Sequence, residues 1–497
     1  MFEPLTPTPS APSYIARWIW LRALGGIFLS AFVSLWFQIE GLIGPRGISP
    51  AGEYLAAVRQ AFSPAFLNLK AYWYAPTVLW VSPGSLMLRA IVAIGLLASL
   101  ALIFNLWPRG AIVVASLAFL SFIGASQEFG QYQSDGMLLE AAFLSFFFAP
   151  PGFRPALGIA HPPSRASLWL LRYEWFRIYF ESGVVKILSG EPQWRDFTAM
   201  DKYYENGPLP TWIGWHVQQL PHSFHAATVA YTLLAELFLC WLMFFPKRSR
   251  LVVFVLTTPL QLGIILTANY AFLNYLVLFL GILLLNDALL SRTSAGAAAG
   301  SDAETALTHS RFAAWRIRLV AVVLSVHFLT TMLMFFDPGF PTARLLEPFR
   351  IANSYGLFAV MTTTRPEIVL EGSADGETWL EYEFKYKAGD VHRPPPWVAP
   401  HQPRLDWQMW FAALGRFDNE RWFQNFCVRL LEADRTVLRL LERDPFQGHK
   451  PRYLRAVLYR YRFSDRATGR LDGVWWVRER LGEYSPVLSL SATPPSG

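Results

Sequence analysis

Five ionisable side chains sit where a lipid bilayer would make them costly. The apolar stretch 167–187 is long enough to cross a membrane, yet it carries Arg172, Glu174, Arg177, Glu181 and Lys186. An unpaired charge at mid-depth costs about 3 kcal/mol on insertion scales, so such groups are paired, face a wet cavity or lie near an interface. A step of about 100° per residue puts Glu174, Arg177 and Glu181 on one helical face. Two chemistries suit that face. A self-neutralising ladder, paired to a neighbouring helix, would order a bundle. A polar cavity would bind a headgroup, a quinone-like molecule or a proton. Lys186 lies about 120° round the helix from Glu174, beside Ser182 and Tyr179, near the end of the stretch. There it either snorkels towards headgroups or, desolvated, serves as a catalytic base.

Other polar residues need partners. Glu140 falls inside a short apolar run and calls for a cation, Arg177 or Arg172. Gln127, Glu128, Gln131 and Asp135 precede that run, and the two acids read as solvated loop residues. Glu236 and His327 are lone polar groups in apolar segments and read as packed, hydrogen-bonded structural residues. The loop 189–223 collects Trp194, Arg195, Asp196, Asp201, Tyr203, Tyr204 and Glu205 ahead of Gly-Pro-Leu-Pro-Thr-Trp. That mixture is an interfacial aromatic belt with a proline-ordered turn, or a rim that recognises a protein partner or a lipid. Further on, His401, Arg404, Asp406, Trp407 and Trp410 lie in APHQPRLDWQMWFAALG. They read as a helix cap followed by an aromatic packing face, on the surface of a soluble domain, with a catalytic group as the alternative.

The elements that position these residues are mostly membrane helices. The chain has 497 residues, 53% hydrophobic and 16% charged, against about 25% charged in soluble domains. Residues 1–339 hold 21 Lys and Arg and 17 Asp and Glu, whereas 340–497 hold 22 and 19 in less than half the length. This predicts a helical transmembrane domain over 1–339 and an α+β domain over 340–497. With about 20 apolar residues needed per spanning helix, nine segments qualify: 18–39, 86–106, 111–127, 137–150, 168–188, 225–245, 251–268, 270–286 and 319–336. The proline-broken stretch 62–81 reads as interfacial or re-entrant. With the N-terminus cytoplasmic, Arg109, then Arg154 and Arg165, then Lys247, Arg248 and Arg250, then Arg292, Arg311, Arg316 and Arg318 all fall on the inner side. The C-terminus is then extracytoplasmic, and the Ala/Gly/Ser-rich stretch 291–310 is a flexible inner linker.

In the tail, 355–363, 367–372 and 379–386 are strand-like, and Asp375-Gly376 between the last two is a hairpin signal. Helices are expected near 405–415, 419–432 and 434–443, a strand over 453–463, and an aromatic-basic run at 475–480. Together these make a fold on an antiparallel sheet. The net charge of +7 reflects basic loops rather than nucleic-acid binding. No phosphate loop, dinucleotide fingerprint, nucleophile elbow or zinc spacing occurs, so no metal and no cofactor is expected. Cys240 and Cys427 fall in different domains, which argues against a mutual disulfide.

At LLRYEWFRIYFESGVVKILSGEPQWRDFTAMDKYYENGPLPTW (170–212), TANYAFLNYL (267–276), NSYGLFAVMTTTRPEIVLEGSADGETWLEYEFKYK (353–387) and PPWVAPHQPRLDWQMWFAALGRF (395–417) the chain resembles the lipase maturation factor family. The resemblance implies a non-enzymatic, polytopic protein that helps secreted lipases reach an active fold, in the endoplasmic reticulum of eukaryotic relatives. The implied partners are membrane lipids and a secreted, lipase-like client met by the extracytoplasmic domain. The lack of glycosylation sequons and of paired cysteines points here to a bacterial inner membrane. The string YFESGVVKILSG…W at 179–194 is also similar to the membrane core of vitamin K-dependent carboxylase-like proteins, which implies a base at Lys186.

Overall fold

The computed structural model describes residues 13–62, 69–290, 311–467, 469 and 473–490. The expected linker 291–310 lies outside the described residues, as do 63–68 of the segment 62–81.

Each of the nine apolar segments is helical. Numbering only the longer helices, they are α1 (Tyr14–Trp36), α2 (Ser85–Ile103), α3 (Pro108–Ile123), α4 (Gln133–Phe148), α5 (Arg165–Leu188), α6 (His222–Leu237), α7 (Lys247–Thr267), α8 (Leu273–Ile282) and α9 (Arg311–Met334). Among the described residues, five helices are long and apolar enough to cross a membrane: Tyr14–Trp36, Ser85–Ile103, His222–Phe244, Lys247–Thr267 and Trp315–Met334. The other four segments fall short of that test for two reasons. Helices α3, α4 and α8 have 16, 16 and 10 residues, about 15–24 Å at 1.5 Å per residue, against a hydrocarbon core of about 30 Å. Helix α5 has 24 residues but carries the charges described above.

Small residues let the first helices meet closely. A Cβ on Gly25 of α1 would stand 2.9 Å from Ile103 of α2, and one on Gly95 of α2 would overlap the Phe32 ring. Lipid supplies no hydrophobic drive between helices, so such close packing does the work of association. Phe32 and Phe28 meet Phe119 edge-on, with centroids 5.9 and 6.2 Å away, and Phe119 meets Phe272 at 6.5 Å. The segment 62–81 yields two short helices, Leu69–Tyr74 and Val78–Trp80, with Tyr72, Trp73 and Tyr74 exposed.

The tail builds an antiparallel sheet in the order β2-β1-β5-β6, from β1 (Arg365–Ser373), β2 (Leu380–Glu381), β5 (Tyr453–Phe463) and β6 (Trp476–Glu483). A second pair joins β3 (Glu383–Phe384) to β4 (Leu441–Arg443). The hairpin signal is realised: Asp375 Oδ1 accepts from the N–H groups of Glu377 and Thr378, both at 2.8 Å, Gly376 takes φ +89°, and Glu371 pairs with Glu381. Helices α10 (Arg404–Leu414) and α11 (Arg421–Leu431) follow, α10 packing on β1.

Three tail expectations need correction. The run 379–386 is not one strand but the two short pieces β2 and β3. The expected helix 434–443 is a single turn, Arg435–Leu438, capped by Asp434, after which Leu441–Arg443 pairs with β3. The strand-like run 355–363 joins no sheet. With residues 353–354 it forms an irregular strap laid across the helical bundle, turning at 357–360 where Phe358 takes φ +58°, and its backbone groups find bundle side chains instead of a ladder.

Candidate functional site

The strap meets the charges of α5 inside the bundle. Arg177 Nη1 lies 2.7 Å from Glu140 Oε1 of α4, and Arg177 Nε lies 2.9 Å from Glu181 Oε1. The third guanidinium nitrogen, Nη2, donates to the Asn353 carbonyl of the strap. Glu140 Oε2 accepts from the Asn353 backbone N–H at 3.0 Å, its amide at 3.0 Å and the Tyr355 hydroxyl at 2.7 Å. Glu181 Oε2 accepts from the Tyr355 N–H at 2.7 Å. His327 Nε2 of α9 stands 3.2 Å from Glu140 Oε1. The guanidinium carbon also lies 4.9 Å above the Tyr355 ring. Of the two cations offered for Glu140 by the sequence, Arg177 takes it. Arg172 instead donates to the Leu283 carbonyl at 2.7 Å. Glu174 is fully buried, and neither of its carboxyl oxygens has a hydrogen-bond partner among the described residues.

Lys186 forms a second knot with the same strap, which corrects its expected place at an interface. It is 2% exposed, and its Nζ lies 2.9 and 2.8 Å from the two carboxyl oxygens of Glu236 on α6. The amine also donates to the Leu357 carbonyl at 3.1 Å and sits 5.1 Å from the centre of the Trp194 ring. Trp194 Nε1 donates to the next strap carbonyl, Phe358, at 3.1 Å. Glu236 and His327, taken from sequence as lone polar groups, are therefore partners of Lys186 and Glu140. Three donors and at least three close acceptors leave the lysine amine no open face.

The tail domain is latched by a third buried pair. Arg404 Nη1 and Nη2 lie 2.8 Å from Asp135 Oδ2 and Oδ1, and both side chains are 1% exposed. Asp135 is thus not a solvated loop acid. Nor does the 401–410 segment form a side-chain cap: Pro403 stands at the N-cap of α10 without a side-chain bond. Asp406 Oδ1 accepts from the N–H groups of Tyr386 and Lys387, at 2.8 and 2.9 Å. Trp407 packs edge-on against Tyr132 at 5.2 Å, and Trp410 Nε1 donates to the Asn206 carbonyl at 3.0 Å. His401, Arg404, Asp406, Trp407 and Trp410 were expected on the domain surface; none is exposed. The amphipathic pattern was real, but the body covering the aromatic face is the helical bundle.

His401 lies beside the Tyr386 ring, and burial, aided by the Lys385 charge, lowers its imidazole from the usual 6.5 to about 4. The unfolded chain therefore takes up this proton first as pH falls. The stability that the neutral imidazole contributes is intact above pH 6.5 and is lost between 6.5 and about 4. We expect His401→Gln to flatten part of the acid loss in the thermal midpoint of the purified protein. A midpoint falling as steeply with pH in the variant would contradict this assignment.

Side chains missed by sequence reasoning complete the latch. Gln38 Oε1 accepts from the Arg404 N–H at 2.8 Å, and its amide donates to the Gln402 carbonyl at 2.9 Å. Asn269 Oδ1 accepts from Val398 and Ala399 at 2.7 and 2.9 Å. Arg365, fully buried, donates to the carbonyls of Glu205, Gly207 and Pro208 and pairs with Glu367 at 2.6 Å. An amide at the end of an apolar run was the signal available for Gln38 and Asn269.

The loop 189–223 divides in two. Trp194, Tyr203, Tyr204 and Glu205 are buried, and Glu205 Oε2 accepts from the Phe463 N–H of β5 at 2.8 Å. Arg195 and Asp196 are exposed. Asp201 holds two imidazoles, with His225 Nδ1 at 3.0 Å and His222 Nδ1 at 2.9 Å. The buried half is a joint between bundle and tail, and only the exposed half is open to a partner.

Comparison with known proteins covers both halves of the chain. Residues 15–292 match the family model described as the lipase maturation factor transmembrane domain, and residues 351–486 match the lipase maturation factor C-terminal domain. Lipase maturation factor 2 of Rattus norvegicus is 33% identical over 97% of this chain and 84% of its own length. Lipase maturation factor 1 of Bos taurus is 32% identical over 96% of this chain and 89% of its own. No solved structure matches.

Proposed function

This chain belongs to the lipase maturation factor family, and on that premise we propose that it assists the maturation of a secreted, lipase-like client. The tail domain, held against the membrane bundle, is the client-facing part. The reading rests on one observation above the others: tail and bundle are joined into one unit by the buried Arg404–Asp135 pair and by the strap, whose backbone is held by Arg177, Glu181 and Lys186 of the bundle. A platform fixed at the membrane can hold a partially folded protein as it emerges.

The finer topology is part of the proposal. All nine apolar helices cross or enter the membrane, the short and charged ones shielded by their neighbours. The basic loops favour an N-terminus in the cytoplasm and a tail outside it. The absence of sequons favours a bacterial inner membrane, with the domains meeting near residue 340. Arg195 and Asp196 are the loop residues we assign to client or lipid contact, since a rim must be exposed to recognise anything. The test is co-expression of a secreted lipase with and without the protein, reading enzyme activity per mass of secreted lipase. The expected result is a several-fold loss of specific activity without the protein. Unchanged specific activity would reject the reading.

Lys186 is assigned a clamping role. A base needs a free lone pair, and this amine is enclosed by Glu236, the Leu357 carbonyl and Trp194. Lys186→Met should lower the amount of folded protein, because it strands a buried carboxylate. Adding Glu236→Met should restore both protein level and client activity. A double variant that folds normally yet gives no active client would reinstate Lys186 as a catalytic residue.

A further inference from the structure

Two cavities, one of them bordering the Arg177 cluster at Asn353, meet along one stripe of α4. The first, about 340 Å³, is apolar and lies against the bundle's side. Val113 and Leu117 of α3 and Leu139, Phe143 and Phe147 of α4 line it. The second, about 280 Å³, is polar and sits at the tail-facing end of the same helix, where Gln133 and Gly136 contribute. Positions 136, 139, 143 and 147 repeat at three- and four-residue spacing, so polar pocket and apolar groove form one continuous face about 16 Å long. The chain between α9 and the strap closes both. Phe349 and Ile351 line the groove, whereas Arg350 and Ala352 line the pocket.

The pocket's chemistry selects an anion. Arg344 and Arg350 both line it, against the single carboxylate of Glu347, and neither arginine forms an ion pair among the described residues. The amide of Gln131 and the hydroxyl of Ser354 add donors. A guanidinium presents a planar fork suited to phosphate, and an apolar groove below it matches a hydrocarbon chain.

We propose that this face binds one anionic phospholipid, with its phosphate at Arg344 and Arg350 and an acyl chain in the groove between α3 and α4. The bound lipid would brace the junction from which the strap enters the bundle. The site is independent of whether the client is a lipase.

The test uses the full chain in detergent, incubated with dioleoyl phosphatidylglycerol or dioleoyl phosphatidylcholine and read by native mass spectrometry. One phosphatidylglycerol per chain should be retained in preference to phosphatidylcholine. R344Q and R350Q should each reduce that preference roughly fivefold, from about one charge–lipid interaction apiece. L117W, at a position 55% exposed on the groove, should lower retention of both lipids. Equal retention of the two lipids, or a preference untouched by R344Q, would overturn the proposal. So would retention untouched by L117W, or release of the lipid by inorganic phosphate alone. Arg344 is exposed, so R344Q decides the headgroup question even if R350Q misfolds; an unchanged thermal midpoint confirms each variant is folded.

Discussion

Arg177→Met is expected to destabilise the folded protein severely, at a cost of about 3–5 kcal/mol. That is a large share of the total stability of an ordinary domain, about 5–15 kcal/mol. The guanidinium touches Glu140, Glu181 and the strap at once. Without it two buried carboxylates remain, beside a third at Glu174 that takes no hydrogen bond among the described residues. Methionine replaces the volume and supplies no charge. The measurement is the monodisperse fraction and thermal midpoint in detergent, beside Arg177→Met combined with Glu140→Gln and Glu181→Gln. The triple variant removes the stranded charges and should recover part of the loss. A single variant with the wild-type midpoint would show that the cluster is solvated after all, and the account of the strap would fail with it.

The second large effect is expected at the latch. Arg404→Met leaves Asp135 buried at 1% exposure with no cation, and Asp135→Leu leaves Arg404 in the same position. Each should cost about 3–5 kcal/mol, and the double variant should cost far less than the two together. Arg404 also lies 4.8 Å from the centre of the Phe122 ring and 5.4 Å from that of Tyr132. Some cation–π contact is therefore lost with the arginine and does not return in the double variant. Limited proteolysis should release the tail of the single variants first, and client activity should fall in step with release. Additive losses in the double variant would mean that the two side chains do not act as a pair.

Much of the architecture could be read along the chain. Apolar runs identified α1 to α9 but not the 11-residue helix Ala51–Ala61, the alternation at 453–463 became β5 to the residue, and Asp375-Gly376 turned where a hairpin was expected. These signals are local, because each reports a preference that neighbouring residues express together. Length and composition were weaker guides to membrane crossing. Helix α8 has only 10 residues, and α5 has enough residues but too many charges.

The partners were not local. Glu140 and Asn353 are 213 residues apart, Lys186 and Glu236 50, and Asp135 and Arg404 269. A β-rich string such as 355–363 does not say whether a sheet or a bundle will satisfy its backbone, and here the bundle bends it at Phe358. An aromatic face such as 404–411 demands cover without naming what covers it. Residue order alone determined that this protein carries apolar helices, a small antiparallel sheet and charges that had to be neutralised. Only the tertiary structure decided which charge meets which, and that the strap is what closes the cluster. Pairing energy depends on distance and burial in space, and neither is written in the order of the residues.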